Sequence, residues 1–178
     1  MPEPISAREV WSGRYVHVTV EEWPSGEYEM VHKHHAVGVV PITPEGDVLL
    51  VRQFRPPVRE SLLEVPAGLL DVDGEDALTC AVRELFEETG YRHREIGFMG
   101  GVFLSPGFTD EYMHLFWATT DPMPEATPEE GIELVRMPLD RAVAAARAGR
   151  VRNVSTALAL LLAAAWPELS EAMGPLQP

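Results

Sequence analysis

Hydrophobic patterning divides the chain into a strand-rich first part, one polar-faced helix, a second group of strands and a closing pair of helices. Arg14 to Val20 and Tyr28 to His32 alternate apolar and polar positions on either side of Pro24-Ser25-Gly26, which predicts a β-hairpin ahead of the main body. Ala36 to Ile42 and Asp47 to Phe54 flank Pro44-Glu45-Gly46-Asp47 as a second hairpin. Their apolar runs are nearly continuous, as expected of strands covered on both faces. Met99 to Leu104, Tyr112 to Thr119 and Gly131 to Met137 supply further strands. Pro138-Leu139-Asp140 opens an alanine-rich helix ending near Gly149, and a last helix covers Val154 to Trp166. The fold this predicts is α/β: a mixed central sheet with one helix on one side and the final helices on the other, an α/β/α sandwich. Residues 1–35 form a small N-terminal β region and residues 36–178 the main domain, with no internal repeat.

Composition narrows the classes. A chain of 178 residues with 46% hydrophobic and 24% charged residues can bury a full core. The net charge of −14, with Lys33 the only lysine, argues against a surface that binds nucleic acid by neutralising phosphates. An acidic protein acting on anionic phosphates needs metal ions and a few well-placed arginines. The single cysteine, Cys80, excludes an intramolecular disulfide, fits a reducing cytoplasm and occupies a core-facing position of the middle helix. No cationic, apolar leader begins the sequence, and the longest apolar run, Ala157 to Trp166, is too short to span a bilayer and is closed by Pro167. We read that run as a buried C-terminal helix and expect no membrane partner.

The chemistry concentrates in Ala67-Gly68-Leu69-Leu70-Asp71, Glu75 and Arg83-Glu84-Leu85-Phe86-Glu87-Glu88-Thr89-Gly90-Tyr91. Glu84 and Glu88 stand at i and i+4 of a helix that follows a tight Gly-containing loop and stops at Gly90, so both carboxylates leave the same face and can share a cation. Glu87 is a third candidate, and Arg83, four residues before it, can hold one carboxylate while others bind metal. A solvated, ion-paired helix is the alternative. Against it, the glutamates crowd the C-terminal half, where the helix dipole disfavours negative charge and a cation would compensate.

This arrangement resembles the signature of the Nudix hydrolases. One departure is visible: Leu69, Leu70, Asp71, Val72, Asp73 and Gly74 separate Gly68 from Glu75, one residue more than the family has, which shifts Glu75 from its usual place at the helix start. Arg52-Gln53-Phe54-Arg55-Pro56-Pro57, Glu64-Val65-Pro66-Ala67-Gly68, Ser105-Pro106-Gly107, Pro128-Glu129-Glu130-Gly131 and Val151 to Leu160 resemble matching segments of the ADP-ribose and ADP-sugar pyrophosphatases within that family. The likeness spans residues 14–166.

The resemblance implies an α/β/α Nudix fold and magnesium, or manganese in its place, with more than one ion per site. Glu84, Glu88 and the Ala67 carbonyl would be ligands beside phosphate oxygens. It implies Glu130 as metal ligand or general base, with Glu129 as its neighbour and alternative, and Glu87 and Arg83 as further members of the catalytic group. Arg55 would meet the diphosphate or the distal ribose, and Arg52 and Ser105 are further substrate-binding candidates, with a solvent-facing strand position the alternative for Arg52. Tyr15 and Tyr28 would stack on adenine and Glu29 would contact it, although Trp11 and Trp23 compete for the stacking role and packing is an alternative for all of them. It implies a homodimer in which the N-terminal hairpin exchanges across a two-fold axis. His32, His34 and His35 are read as strand and loop residues without metal, for want of a third converging ligand. The activity implied is hydrolysis of ADP-ribose to AMP and ribose 5-phosphate. The alternatives are the same chemistry on an ADP-hexose, FAD or NADH, and a module that binds ADP-ribose without cleaving it.

Overall fold

The computed structural model describes residues 2–173, with side-chain surroundings up to residue 165, so residue 1 and residues 174–178, the outer ends of the two expected units, lie outside the described residues. The N-terminal hairpin forms as its alternation predicts, β2 (Val16–Trp23) pairing with β3 (Gly26–Lys33) so that Trp23 faces Gly26 across the turn. A strand not expected from the pattern, β1 (Ser6–Ser12), adds to the other edge of β2 with a register shift between Glu9 and Trp11. Every residue of β1 is exposed. Its apolar residues Val10 and Trp11 are adjacent rather than alternating, so no core face could mark it in the sequence.

The larger sheet runs β10 (Glu133–Pro138), β5 (Asp47–Arg55), β4 (Ala36–Ile42), β9 (Tyr112–Thr120), β8 (His93–Phe103). Two short strands complete it: β6 (Glu60–Glu64) on β5 and β7 (Ala67–Leu69) on β4. β4 and β9 are parallel and the other pairs antiparallel, which makes the sheet mixed. Alternation along β4 sends Val37 and Val39 to one face and Ala36 and Val40 to the other. On the first face they pack with Phe116 and Ala118 against Cys80, Ala81 and Leu85 of α1 (Ala77–Thr89). On the second, α2 (Leu139–Arg147) and α3 (Val154–Met173) bring Ala142, Val143, Ala146, Ala159, Leu160 and Ala163 onto Met113 and Leu115. Burying a side chain such as Leu85, which has no exposed surface, contributes about 1.5–3 kcal/mol.

Three local expectations change. Ala67–Leu69 is a strand paired with Ala36–Gly38, and the loop before the helix is confined to residues 70–76. Its turn closes with the Glu75 N–H donating to the Val72 carbonyl at 3.1 Å, and Gly74 within it takes a left-handed φ of 79°, which glycine adopts without strain. α3 continues past Pro167, since an interior proline forfeits a hydrogen bond without forbidding helical φ. It is also only half buried: Leu160 and Ala163 face the core while Leu161 is exposed, and the Trp166 side chain lies outside the described residues.

α1 is fixed at both ends. Asp76 caps it, its Oδ1 accepting the Thr79 N–H at 2.7 Å. Gly90 ends it at a φ of 76°, with its N–H on the Phe86 carbonyl. A Cβ at Gly90 would lie 1.9 Å from the Ala126 carbonyl oxygen, so the loop after β9 is seated directly on the end of this helix. The N-terminal sheet is tied to the main sheet by Asp110, whose carboxylate meets His32 Nδ1 at 2.6 Å and the Lys33 N–H at 3.0 Å.

Candidate active site

β7 and the second half of α1 form the floor of the site. Gly68 lies against Glu84 so closely that a Cβ there would fall 1.9 Å from the Glu84 carboxyl carbon. Glu88, one turn on, is 5% exposed; its Oε2 accepts the Ala67 N–H and its Oε1 the Gln53 side-chain amide, each at 3.0 Å. A strand residue directs its N–H and C=O to the same edge, so the Ala67 carbonyl opens on the edge where Glu88 sits. Burial pushes the Glu88 carboxyl up to about 7; the Ala67 N–H and Arg55 oppose this and Glu84 adds to it. Burial also raises Glu84, against the pull of Arg83 and with the charges of Glu87 and Glu129 acting in the same direction as burial.

Arg83 is the hub of the acidic face. Its Nε and Nη2 each donate to Glu75 at 2.9 Å, and its Nη1 reaches Glu84 at 2.6 Å and Glu87 at 3.1 Å. Glu75 thus stands outside the helix, before the cap, yet closes the far side of the guanidinium. These hydrogen bonds hold the Glu75 carboxyl below the usual range, and donating to Glu75 is the leading cause of the rise at Arg83. Cys80 is buried on the same helix with its thiol pushed up to about 12 by desolvation, which makes it a poor nucleophile.

Above the floor, β5 presents Gln53 and Arg55 on one face, Gln53 to Glu88 and Arg55 to Glu64. The loop at residues 125–132 is fastened to α1: the Glu125 and Ala126 N–H groups donate to the Gly90 carbonyl, and the Glu129 N–H to the Glu87 carbonyl at 3.1 Å. Both loop glutamates are exposed, and of the two it is Glu129 whose charge reaches Glu84.

Other sequence candidates lie apart from this group. Arg52 is exposed and pairs with Glu133, its neighbour on β10, at 3.3 Å. Ser105 starts a turn, its carbonyl accepting from the Phe108 and Thr109 N–H groups. Tyr28 lines a cavity of about 580 Å³ with Trp23, Met30, Phe103 and Phe108, whereas Tyr15 lines a separate depression with Arg14 and His17. The two tyrosines therefore do not flank one cleft within a single chain. Glu29 belongs to the opposite face of β3 from Tyr28. His32 spends its ring nitrogens on Thr19 and Asp110.

Among the described residues no three His, Cys, Asp or Glu side chains converge as a closed chelate. The donors present are one buried carboxylate, Glu88, one half-buried carboxylate, Glu84, and an adjacent backbone carbonyl, all oxygen and open to one side. That set suits magnesium, which keeps several waters or phosphate oxygens and takes only one or two protein carboxylates. Gln53 and Glu64 were not singled out in the sequence: their roles depend on strand register, and the only signal was their place two and nine residues from Arg55 in polar positions of strands.

The family profile described as NUDIX domain matches residues 32–158. The chain is 33% identical over 165 residues to the ADP-ribose pyrophosphatase of Bacillus subtilis, covering 88% of this chain and 89% of the relative. It is 34% identical over 165 residues, with the same coverage, to the methanol dehydrogenase activator of Bacillus methanolicus. A crystal structure of an ADP compounds hydrolase superposes with a TM-score of 0.76 over 98% of this chain and 97% of that one, at 23% identity, a likeness of fold.

Proposed function

The chain belongs to the Nudix family and is a Nudix hydrolase, and we propose that its reaction is hydrolysis of the diphosphate of ADP-ribose to AMP and ribose 5-phosphate. The observation that carries this reading is the seating of Glu84, half-buried, and Glu88, buried, against the Ala67–Gly68 backbone with Arg55 close by. The full-length similarity to an ADP-ribose pyrophosphatase supports the choice of substrate.

When bound, a divalent cation would neutralise phosphate charge and lower the pKa of a bound water. Glu84, Glu88 and the Ala67 carbonyl would hold it, and Arg83 keeps Glu84 and Glu87 from swinging away. Arg55 orients the diphosphate. A glutamate of the 125–132 loop takes the proton from the attacking water; Glu129, tied to the end of α1, is better placed for this than Glu130, the residue the sequence favours.

The test is a product-resolved panel in magnesium with ADP-ribose, ADP-glucose, FAD, NADH, GDP-mannose and diadenosine polyphosphate at equal low concentration. ADP-ribose is cleaved fastest, to AMP and ribose 5-phosphate. If another compound is cleaved fastest, the substrate assignment is wrong. Binding of ADP-ribose with no turnover of any compound would favour the non-catalytic reading.

The same reading takes residues 1–35 as a unit exchanged between two copies of the chain. Its support is the outer strand β1, exposed along its length with Ile5, Val10 and Trp11 uncovered. Sedimentation equilibrium giving a dimer mass agrees with it; a monomer mass does not.

A further inference from the structure

Arg55 is held in an asymmetric way. Its register partner across the β5–β6 hairpin is Glu60, and Glu60 is taken by Arg152. Arg55 instead reaches back along the hairpin to Glu64, which stands opposite Val51. There the pairing is a two-pronged fork, Nε to Oε1 at 2.9 Å and Nη2 to Oε2 at 2.6 Å. The Glu64 side chain is 4% exposed and the Arg55 side chain 43%. The carboxylate is thus sunk into the protein while the arginine side chain remains partly open. No other side-chain partner of Glu64 occurs among the described residues.

A guanidinium gripped through Nε and Nη2 still presents the end-on pair of N–H groups, from Nη1 and Nη2, on its other side. That pair matches two oxygens of a phosphate. Held only by its flexible stem, the same head would have to lose rotamer freedom each time a substrate bound. Gln53, on the same face of β5, donates one hydrogen bond to Glu88 at 3.0 Å, so the same strand contacts both the phosphate-binding and the metal-binding side chain of the functional reading.

We propose that Glu64 is a positioning residue that fixes Arg55 with its end-on N–H pair toward the substrate diphosphate, and so sets substrate affinity rather than the chemical step. The proposal rests on the functional reading above, which assigns Arg55 to the diphosphate. It predicts that Glu64 matters only through Arg55.

The experiment is a double-mutant cycle on ADP-ribose hydrolysis in magnesium with wild type, E64Q, R55A and E64Q/R55A, plus E64D. E64Q is nearly isosteric, but its amide turns one acceptor into a donor facing a guanidinium N–H, which breaks the fork. The expected result is a KM raised about tenfold in E64Q with kcat within about threefold of wild type, and a change below about twofold when E64Q is added to R55A. E64D, which keeps the carboxylate fork, restores most of the affinity. R55A leaves a buried carboxylate unpaired, so E64Q/R55A should melt above R55A.

An E64Q with wild-type KM beside an impaired R55A overturns the proposal, as does an E64Q effect that persists undiminished in the R55A background. Wild-type kinetics in R55A remove Arg55 from the substrate and the proposal with it, while hydrolysis itself stands. Equilibrium affinity for ADP-ribose, measured in parallel by calorimetry, reads the same coupling if the wild type binds without turnover, the outcome that defeats the enzymatic reading instead. Absence of both binding and turnover defeats both.

Discussion

Replacing Glu88 with glutamine lowers turnover of ADP-ribose by about a thousandfold or more and leaves the protein folded. The carboxylate is buried and accepts the Ala67 N–H and the Gln53 amide with its two oxygens. Glutamine keeps the volume, so the packing around α1 is retained. It loses the charge that would face a cation, while a flip of the Gln53 amide lets its carbonyl accept the new N–H₂ and the remaining oxygen keep the Ala67 N–H. The kcat and the thermal midpoint of Glu88→Gln check this together. A midpoint near wild type with turnover reduced by orders of magnitude agrees with the assignment, and turnover within tenfold of wild type would remove Glu88 from the metal-binding group.

Gly68→Ala is the second large effect, and it separates activity from stability in a different way. The added methyl would lie 1.9 Å from the Glu84 carboxyl carbon and from its Oε1, which no real contact allows. Gly68 is not among the glycines with positive φ, so alanine fits the backbone, and what must yield is the end of the Glu84 side chain. The fold therefore survives, with a stability change within about 1 kcal/mol. Glu84 is displaced from the Ala67–Gly68 backbone and its 2.6 Å bond to Arg83 is strained. We expect kcat/KM to fall about a hundredfold, since a 1 Å misplacement in a positioned group costs that much. Denaturant unfolding and steady-state kinetics on the same preparation check both halves. An active Gly68→Ala would mean that Glu84 works elsewhere than on this backbone.

What could be read from the sequence followed its periodicities. The strand Ala36–Ile42 is flanked by layers on both faces and announces itself as an apolar run; α1 ends at a left-handed glycine, visible as a residue type. The spacing of Glu84 and Glu88 was legible because a helix converts sequence distance directly into a shared face. β1 was not, because nothing buries it, and β7 was not, because three residues carry no period. The partners of the site residues were hidden for another reason. That Arg55 bypasses Glu60 for Glu64, and that Gln53 meets Glu88, depends on which residues face each other across strands and across the sheet and helix layers, and no local pattern encodes that register. The choice between Glu129 and Glu130 likewise depends on how a loop is hung from the end of α1, by bonds to the Gly90 and Glu87 carbonyls.

Under the proposed function, two carboxylates on one helix, set against a glycine backbone, make a site for cation-dependent cleavage of a diphosphate. Its most direct measurement follows ADP-ribose by chromatography with identified products, in magnesium and then after excess chelator. Equal amounts of AMP and ribose 5-phosphate are expected in magnesium, with arrest on chelation and recovery when magnesium is returned. Cleavage that continues in chelator, or products from a bond other than the diphosphate, would contradict it.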